Sequence, residues 1–401
     1  MDYRRYRELL TKQPFAKEMA FTEAEYRSRV AKVRGFMADK NLDALLVTFA
    51  PNVCYLAGYH AFAADLFACF LLTMDGEPTL QVSEFEISGA LLSGWVSDIR
   101  PAKFANPESA SVELSEIVKE RKLDGKRIGI ETKFAGLNVS LYEGLKAVLP
   151  GATFIEASDV VFQARFVKSP AEVAHMRTAA KIAKKGIEDT VRAVRPGVTE
   201  NDLASVAYAT AVKEGSEYFS CQPVVVGAHR TGWIHTSHRG ARIDAGDTVT
   251  IEVGAFHHRY MSAIMHTVVL GEPSKTVERF AKASNDTIDL ILDFARPGRT
   301  AHEVAVEAKK GIAGVSNEAY STGMFGYSVG LSLPPTWREG LIVLAEGIHR
   351  PLEAGMTFLS PITLREPGIR GVGFSETYVV TETGCDVLTA HDRSLTVAPI
   401  S

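Results

Sequence analysis

The residue types best suited to chemistry gather around one stretch, GDTVTIEVGAFHHRYMSAIMHTVVLG, residues 246–271. Its period-two alternation predicts two strands, Thr248–Ala255 and Tyr260–Leu270, joined by the polar turn His257-His258-Arg259. In the first strand Val249, Ile251 and Val253 share one face, and Thr248, Thr250, Glu252 and Gly254 share the other. Glu252 is the only carboxylate inside either strand. Facing water, such a glutamate is a solvated strand residue. Closed into a dry pocket, it can attack a substrate carbon or take a proton from water.

Further side chains offer complementary chemistry. His235, in GWIHTSH, is of the type that titrates near neutrality and can pass a proton to a leaving nitrogen; between polar stretches it also reads as a surface loop residue. Tyr327, in GYSVG, can donate to a developing oxyanion or to a substrate carboxylate, or simply pack beside glycine. Trp337, after Pro334-Pro335, can wall a cationic ligand, worth ~0.5–2 kcal/mol when desolvated, or anchor a core. Glu376, in SETYVV, matches the planar donor pair of an amidinium or guanidinium, although a carboxylate at a strand start ordinarily faces water. His266 lies on the strand opposite Glu252 and can face the same cleft, whereas His238, His257 and His258 read as structural or solvated.

These groups need a scaffold, and the composition bounds it. The chain has 401 residues, about twice what one hydrophobic core organises, so two domains are expected. Hydrophobic residues at 46% and charged residues at 23% are those of a globular chain. A formal charge of -4 and a pI near 6.3 give no reason to expect nucleic acid or an anionic membrane as partner. The four cysteines, Cys54, Cys69, Cys221 and Cys385, form no CxxC pair and fit reduced thiols. Neither a signal-type apolar run nor ~18 consecutive apolar residues occurs, so a cytoplasmic location is expected.

Along the chain, residues 22–40 read as a capped helix and Leu42–Phe49 as a buried strand, with Pro51-Asn52 opening a turn. Strands at Ala68–Met74, Pro78–Val82 and Arg127–Glu131 alternate with helices at Ser111–Lys122 and Leu141–Leu149, which predicts an α/β domain without a glycine-rich phosphate loop. Ser169-Pro170 then caps a long amphipathic helix, and the boundary is expected near residue 165. The second half repeats itself: IEDTVRAVRPGVTENDLA at 187–204 matches IDLILDFARPGRTAHEVA at 288–305 with a constant offset of 101. Two half-domains related by pseudo-symmetry, packed on a curved antiparallel sheet, would leave a cleft between them. Glu252 falls between the two copies.

Five segments in order, NVCYLAGY, KSPAEVAHMRTAAKIA, GDTVTIEVGAFHHRYMSAIMHT, FGYSVGLSLPPTW and GMTF…SETYVVTETG, resemble the creatinase/prolidase/methionine-aminopeptidase family. The resemblance covers nearly the whole chain. It implies an α/β (α+β) chain, with a small N-terminal creatinase-like domain, residues 1–165, and a C-terminal "pita-bread" catalytic domain, residues 166–401. It also implies a homodimer. Metallopeptidases of this family hold two metal ions with two aspartates, a histidine and two glutamates. The resemblance carries these positions onto Glu252, Ala263, Tyr327, the vicinity of Pro361, and Ser375. A lone carboxylate cannot hold a dinuclear site, so no metal and no other cofactor is expected.

The chain is most similar to the ectoine hydrolase branch, which shares glutamate at the Glu252 position in an E-x-(A/G)-x-H-x-R-Y context ending at Tyr260, and the G-Y-x-x-G-L-S-x-P-P-x-W segment from Gly326 to Trp337. It departs from that branch around His235 and at Met265-His266. The resemblance implies a metal-independent hydrolase of a C–N bond in a small cyclic amidine. Glu252 would be nucleophile or general base and His235 the proton shuttle. Tyr327, Trp337, Glu376, Tyr260 and His266 are the candidate substrate contacts. Alternatives are a creatinase-like amidinohydrolase or related small-molecule lyase, and a catalytically silent binding module. A metal-dependent Xaa-Pro peptidase ranks last.

Overall fold

The computed structural model describes residues 3–104 and 109–400. They divide into two compact units, Met1–Arg165 and Phe166–Ser401.

The first unit is built on a six-stranded mixed sheet of order β4-β3-β2-β1-β5-β6, with β1 at Ala44–Val47, β2 at Ala68–Thr73, β3 at Thr79–Ser83, β4 at Asp98–Ala102, β5 at Arg127–Ile130 and β6 at Thr153–Glu156. Helices α1 (Tyr3–Lys12), α2 (Glu23–Asp39), α3 (Ala50–Ala57), α4 (Ile87–Ser93), α5 (Ala110–Glu120), α6 (Val139–Val148) and α7 (Ser158–Phe166) connect and cover it. Leu46, Leu71 and Ile128 of the sheet pack with Leu114, Val118 and Leu145 of α5 and α6. The turn expected at Pro51-Asn52 is instead the first turn of α3. Proline fits there because the first-turn N–H groups have no intrahelical acceptor, and Gly58 ends the helix at φ 71°.

The second unit contains α8 (Pro170–Ala193), α9 (Glu200–Lys213), β7 (Val224–Gly227), β8 (Thr248–His257), β9 (Tyr260–Leu270), α10 (Lys275–Phe294), α11 (Ala301–Ile312), β10 (Met324–Val329), β11 (Arg338–Ala345), β12 (Thr357–Glu366), β13 (Arg370–Val380), β14 (Cys385–Val387) and β15 (Thr396–Ala398). The sequence repeat is a structural one. In each copy an Arg-Pro-Gly break, with Gly197 at φ 86° and Gly298 at φ 85°, leads into a threonine capping box. Thr199 pairs with Asp202 at the start of α9, and Thr300 with Glu303 at the start of α11.

Two sheets, β15-β9-β8-β7 and β11-β10-β12-β13-β14, carry the two halves. Apart from β15, which is parallel to β9, their strands pair antiparallel. The sheets meet where β13 lies against β9, and side chains bridge the backbones. Ser375 Oγ accepts from Met265 N–H at 2.7 Å, and Thr377 Oγ1 accepts from Ala263 N–H at 3.1 Å while donating to its carbonyl at 2.9 Å. Helices α8 and α9 cover one sheet through Ile187, Leu203 and Ala207 against Val249, Ile251 and Val253. Helices α10 and α11 cover the other through Phe280, Ile288 and Val304 against Phe358 and Phe374. The expected alternation of β8 therefore holds: its valine–isoleucine face enters the helical core, and Glu252 points the other way, toward the second sheet.

Candidate active site

Glu252 stands in mid-strand, opposite Val224 of β7 and Met265 of β9. It is buried, and its Oε1 has no hydrogen-bond partner. With a carboxylate removed from water and nothing donating to it, the neutral form is favoured, and burial lifts Glu252 from 4.5 to about 7. The charge of Arg365 pulls in the opposite direction. Glu252 and Arg365 line one cavity of about 80 Å³, together with Thr250, Thr363, Trp233 and His235. The Arg365 Nε is likewise buried without a partner, and burial depresses the guanidinium while Glu252 offsets part of that effect. The cavity thus presents one anion and one cation.

His235 lines this cavity from an exposed loop and holds a left-handed backbone, φ 54°. That conformation costs a non-glycine residue ~1–2 kcal/mol. Beside Glu252, Cys221 feels the carboxylate: burial and the Glu252 charge both push its thiol up. Tyr327 is within the same field; burial, then Glu252, raise its phenol far above 10. Its hydroxyl accepts a bond of 2.9 Å from Trp337 Nε1. The Trp337 ring lies over Gly254, where a Cβ would stand 2.8 Å from the indole and 3.7 Å from the methyl of Ala263. Only glycine at 254 leaves room for that ring.

The other expected contacts have different partners. Tyr260 is fully buried, and its hydroxyl donates to Glu172 Oε1 of α8 at 2.8 Å, so it ties the hairpin to the helix. His266 does not face Glu252. The residue opposite Glu252 is Met265, and one step along β9 turns His266 to the other face, opposite Ile251. There its Nε2 lies 2.8 Å from Thr396 Oγ1, and burial, reinforced by His391, holds it down at about 4. Glu376 accepts from Thr389 Oγ1 at 2.6 Å and sits 3.1 Å from His391 Nδ1 and 3.5 Å from Arg393 Nε. These three residues do not line the cavity; they fasten the hairpin and the segment 389–396.

Arg365 was missed from sequence, although a period-two signal exists: Pro361, Thr363 and Arg365 alternate along β12, so a cation shares the face on which the family sets a glutamate.

Residues 174–382 match the profile of metallopeptidase family M24, and residues 29–167 that of the creatinase/prolidase N-terminal domain. The chain belongs to family M24. An ectoine hydrolase of Halomonas elongata is 27% identical over 399 residues, 94% of this chain and 98% of that protein. A Xaa-Pro dipeptidase of Pyrococcus horikoshii is also 27% identical, over 92% of this chain and 98% of that protein. The fold matches a crystal structure of an X-Pro aminopeptidase from Thermotoga maritima with a TM-score of 0.81, at 22% identity, covering 92% of this chain and 99% of that one. M24 membership makes the chain a hydrolase. The equal identities leave its substrate to be argued from the site.

The family's name implies a metal centre, and the donors present do not fit one. Around Glu252 the expected ligand positions carry a methyl at Ala263, a phenol at Tyr327 held by Trp337, and a hydroxyl at Ser375 already bonded to the β9 backbone. The Trp337 indole covers the space beside Gly254 and Ala263, and a guanidinium faces the same cavity. Among the described residues, no cluster of three His, Cys, Asp or Glu ligand atoms includes Glu252. One carboxylate beside a fixed cation is a poor host for a dication.

Proposed function

We propose that this M24 protein hydrolyses a C–N bond in a small zwitterionic compound, a cyclic amidine acid of the ectoine type, without a metal at Glu252. The observation that carries this reading is the pairing of Glu252 and Arg365 in one small cavity. Arg365 receives the substrate carboxylate, for which a guanidinium fork is the matching donor. Glu252 faces the amidinium, whose positive charge favours the ionised carboxylate. A cavity of about 80 Å³ lies below the ~300–1,000 Å³ of drug-sized ligand sites, which favours a compact solute over an extended peptide.

Glu252 then acts on the amidinium carbon, directly as nucleophile or by taking a proton from an attacking water. Addition gives a tetrahedral centre, and cleavage of one C–N bond releases the nitrogen, which takes its proton from His235 at the cavity mouth; on the nucleophilic route a water then attacks the Glu252 carboxyl carbon, freeing an amide product that keeps one Glu252 oxygen and restoring the carboxylate. Tyr327 and Trp337 do not line the cavity; bonded to each other, they pack on the Gly254 side of Glu252.

Incubation of the purified protein with ectoine, followed by NMR of ring opening before and after metal chelation, tests the reading. Turnover that survives chelation supports it. Turnover that appears only with added metal, or only on Xaa-Pro dipeptides, overturns it. A guanidino-acid panel addresses the second reading, a creatinase-like amidinohydrolase, which the same anion–cation pair would serve. Single-turnover hydrolysis in ¹⁸O-water separates the two roles of Glu252, since only a nucleophile acquires label in its own carboxylate.

A further inference from the structure

A second group of titratable side chains lies on α8 and the β8–β9 turn, outside the Glu252 cavity. His175 Nδ1 stands 2.8 Å from His257 Nδ1. The ring centroids are 4.9 Å apart for His175 and His257, 4.8 Å for His175 and His258, and 4.6 Å for His257 and His258. One ring nitrogen from each of the three lies within 4.8 Å of the other two. All three are half-buried.

Each of the three imidazoles offers one ring nitrogen as a metal donor. Burial and then His258 hold His257 below its ordinary value, while Glu217 acts in the opposite sense. The Nδ1 atoms of His175 and His257 face each other at hydrogen-bond distance, and the His258 ring packs against both, so the donor atoms converge. A soft or borderline dication resolves that convergence, and a hard one such as Mg²⁺ does not.

The backbone is arranged to hold this cluster. His258 at φ 50° and Arg259 at φ 68° form the two-residue turn between β8 and β9. That turn type is normally made by Asn-Gly, because both central residues are left-handed; here it is made by two bulky side chains at ~1–2 kcal/mol each. The turn is anchored. Arg259 N–H donates to Glu217 Oε1, and its guanidinium lies 4.0 Å over the Tyr218 ring. Tyr260, bonded to Glu172, stacks on His175 with centroids 5.9 Å apart. The helix and the hairpin are therefore locked in register around the three rings.

We infer that His175, His257 and His258 form a binding site for a divalent transition-metal ion such as Zn²⁺, Co²⁺ or Ni²⁺, clamping α8 to the β8–β9 hairpin. Small ring movements bring the three nitrogens to the ~2.0–2.1 Å bonds such an ion makes. A fourth position is left for water or for Glu217, whose carboxylate lies within 4.8 Å of the His258 ligand atom. The site shares no residue with the Glu252 cavity and stands whether or not the proposed reaction is correct.

Titration of the untagged, chelator-stripped full chain with Co²⁺ and Zn²⁺ tests it, read by visible d–d absorption and by calorimetry. One equivalent per chain is expected, with the cobalt band of a nitrogen-rich site. His257→Ala and His175→Gln each weaken binding about tenfold or more, and Glu252→Gln leaves it unchanged. Circular dichroism on each variant guards against loss of fold, and the near-isosteric glutamine at 175 provides a second variant. Absence of a stoichiometric site, or binding that survives both histidine variants or vanishes in Glu252→Gln, overturns the inference.

Discussion

Glu131 in the first unit and Glu252 in the second are both buried strand-end or strand carboxylates, and burial lifts both from 4.5 to about 7. Their surroundings differ. Glu131 accepts from Thr48 N–H at 2.7 Å, Phe49 N–H at 2.8 Å and Asn52 Nδ2 at 2.5 Å, and Asn52 in turn accepts from the buried Arg165 at 2.7 Å. It splices the loop after β1 to the end of β5. Glu252 has a cavity on one side and an orphan oxygen. A raised pKa is thus common to a structural carboxylate and to the one proposed to react; what separates their surroundings is whether the hydrogen-bond capacity is spent inside the fold.

The largest expected effect breaks the pair apart by activity. Glu252→Gln should lower kcat by ~10²–10⁴-fold with the fold intact, whereas Glu131→Gln should leave kcat per folded molecule unchanged. Initial rates on the best substrate from the small-molecule panel, normalised by active folded protein, check both. Equal losses in the two variants would mean that Glu252 is structural too.

Stability should rank them the other way. Glutamine at 131 has one oxygen for three donors and turns an amide N–H₂ toward at least one of them, so Glu131→Gln should cost about 2–4 kcal/mol, read by urea unfolding. Glu252→Gln removes a destabilising group. In the folded chain Glu252 keeps its proton to about pH 7, while in the unfolded chain it ionises near 4.5. The unfolded state therefore gains relative stability as pH rises from 4.5 toward 7, and the loss persists above. Glu252→Gln should match the parent below about pH 4 and exceed it by up to about 3 kcal/mol near pH 8. A variant no more stable at either pH would show that the carboxylate is solvated through its cavity.

The same contrast explains what could be read in the chain. Local signals were legible: the Arg-Pro-Gly breaks, the Thr199 and Thr300 capping boxes, and the alternation that turns Glu252 away from the α8–α9 core. Each depends on neighbours within a few residues. Alternation gives the face of a side chain and not what covers that face. Arg365 reaches Glu252 from a strand more than a hundred residues later, and His266 and Glu376 find Thr396, Thr389 and His391 in the final segment. Those pairings are set by how β9 and β13 abut, which no short pattern encodes. Proline at position 51 misled for the opposite reason, since a helix start and a turn share that signal.

The smallest effect is the sharpest test of what makes the second carboxylate different, because it leaves Glu252 in place. Arg365 is the charge that holds Glu252 below the value burial alone would give. In Arg365→Gln that restraint is gone, and Glu252 should titrate higher. If the reactive form is the carboxylate, the acid limb of the kcat/KM profile moves to higher pH. The substrate carboxylate also loses its charge-assisted partner, worth ~1.5–3 kcal/mol, so KM should rise by about 10–100-fold for a zwitterion. It should change little for a substrate analogue whose carboxylate is replaced by a neutral amide. A neutral analogue weakened as strongly as the acid would place Arg365 in the scaffold beside Glu131 rather than in the site.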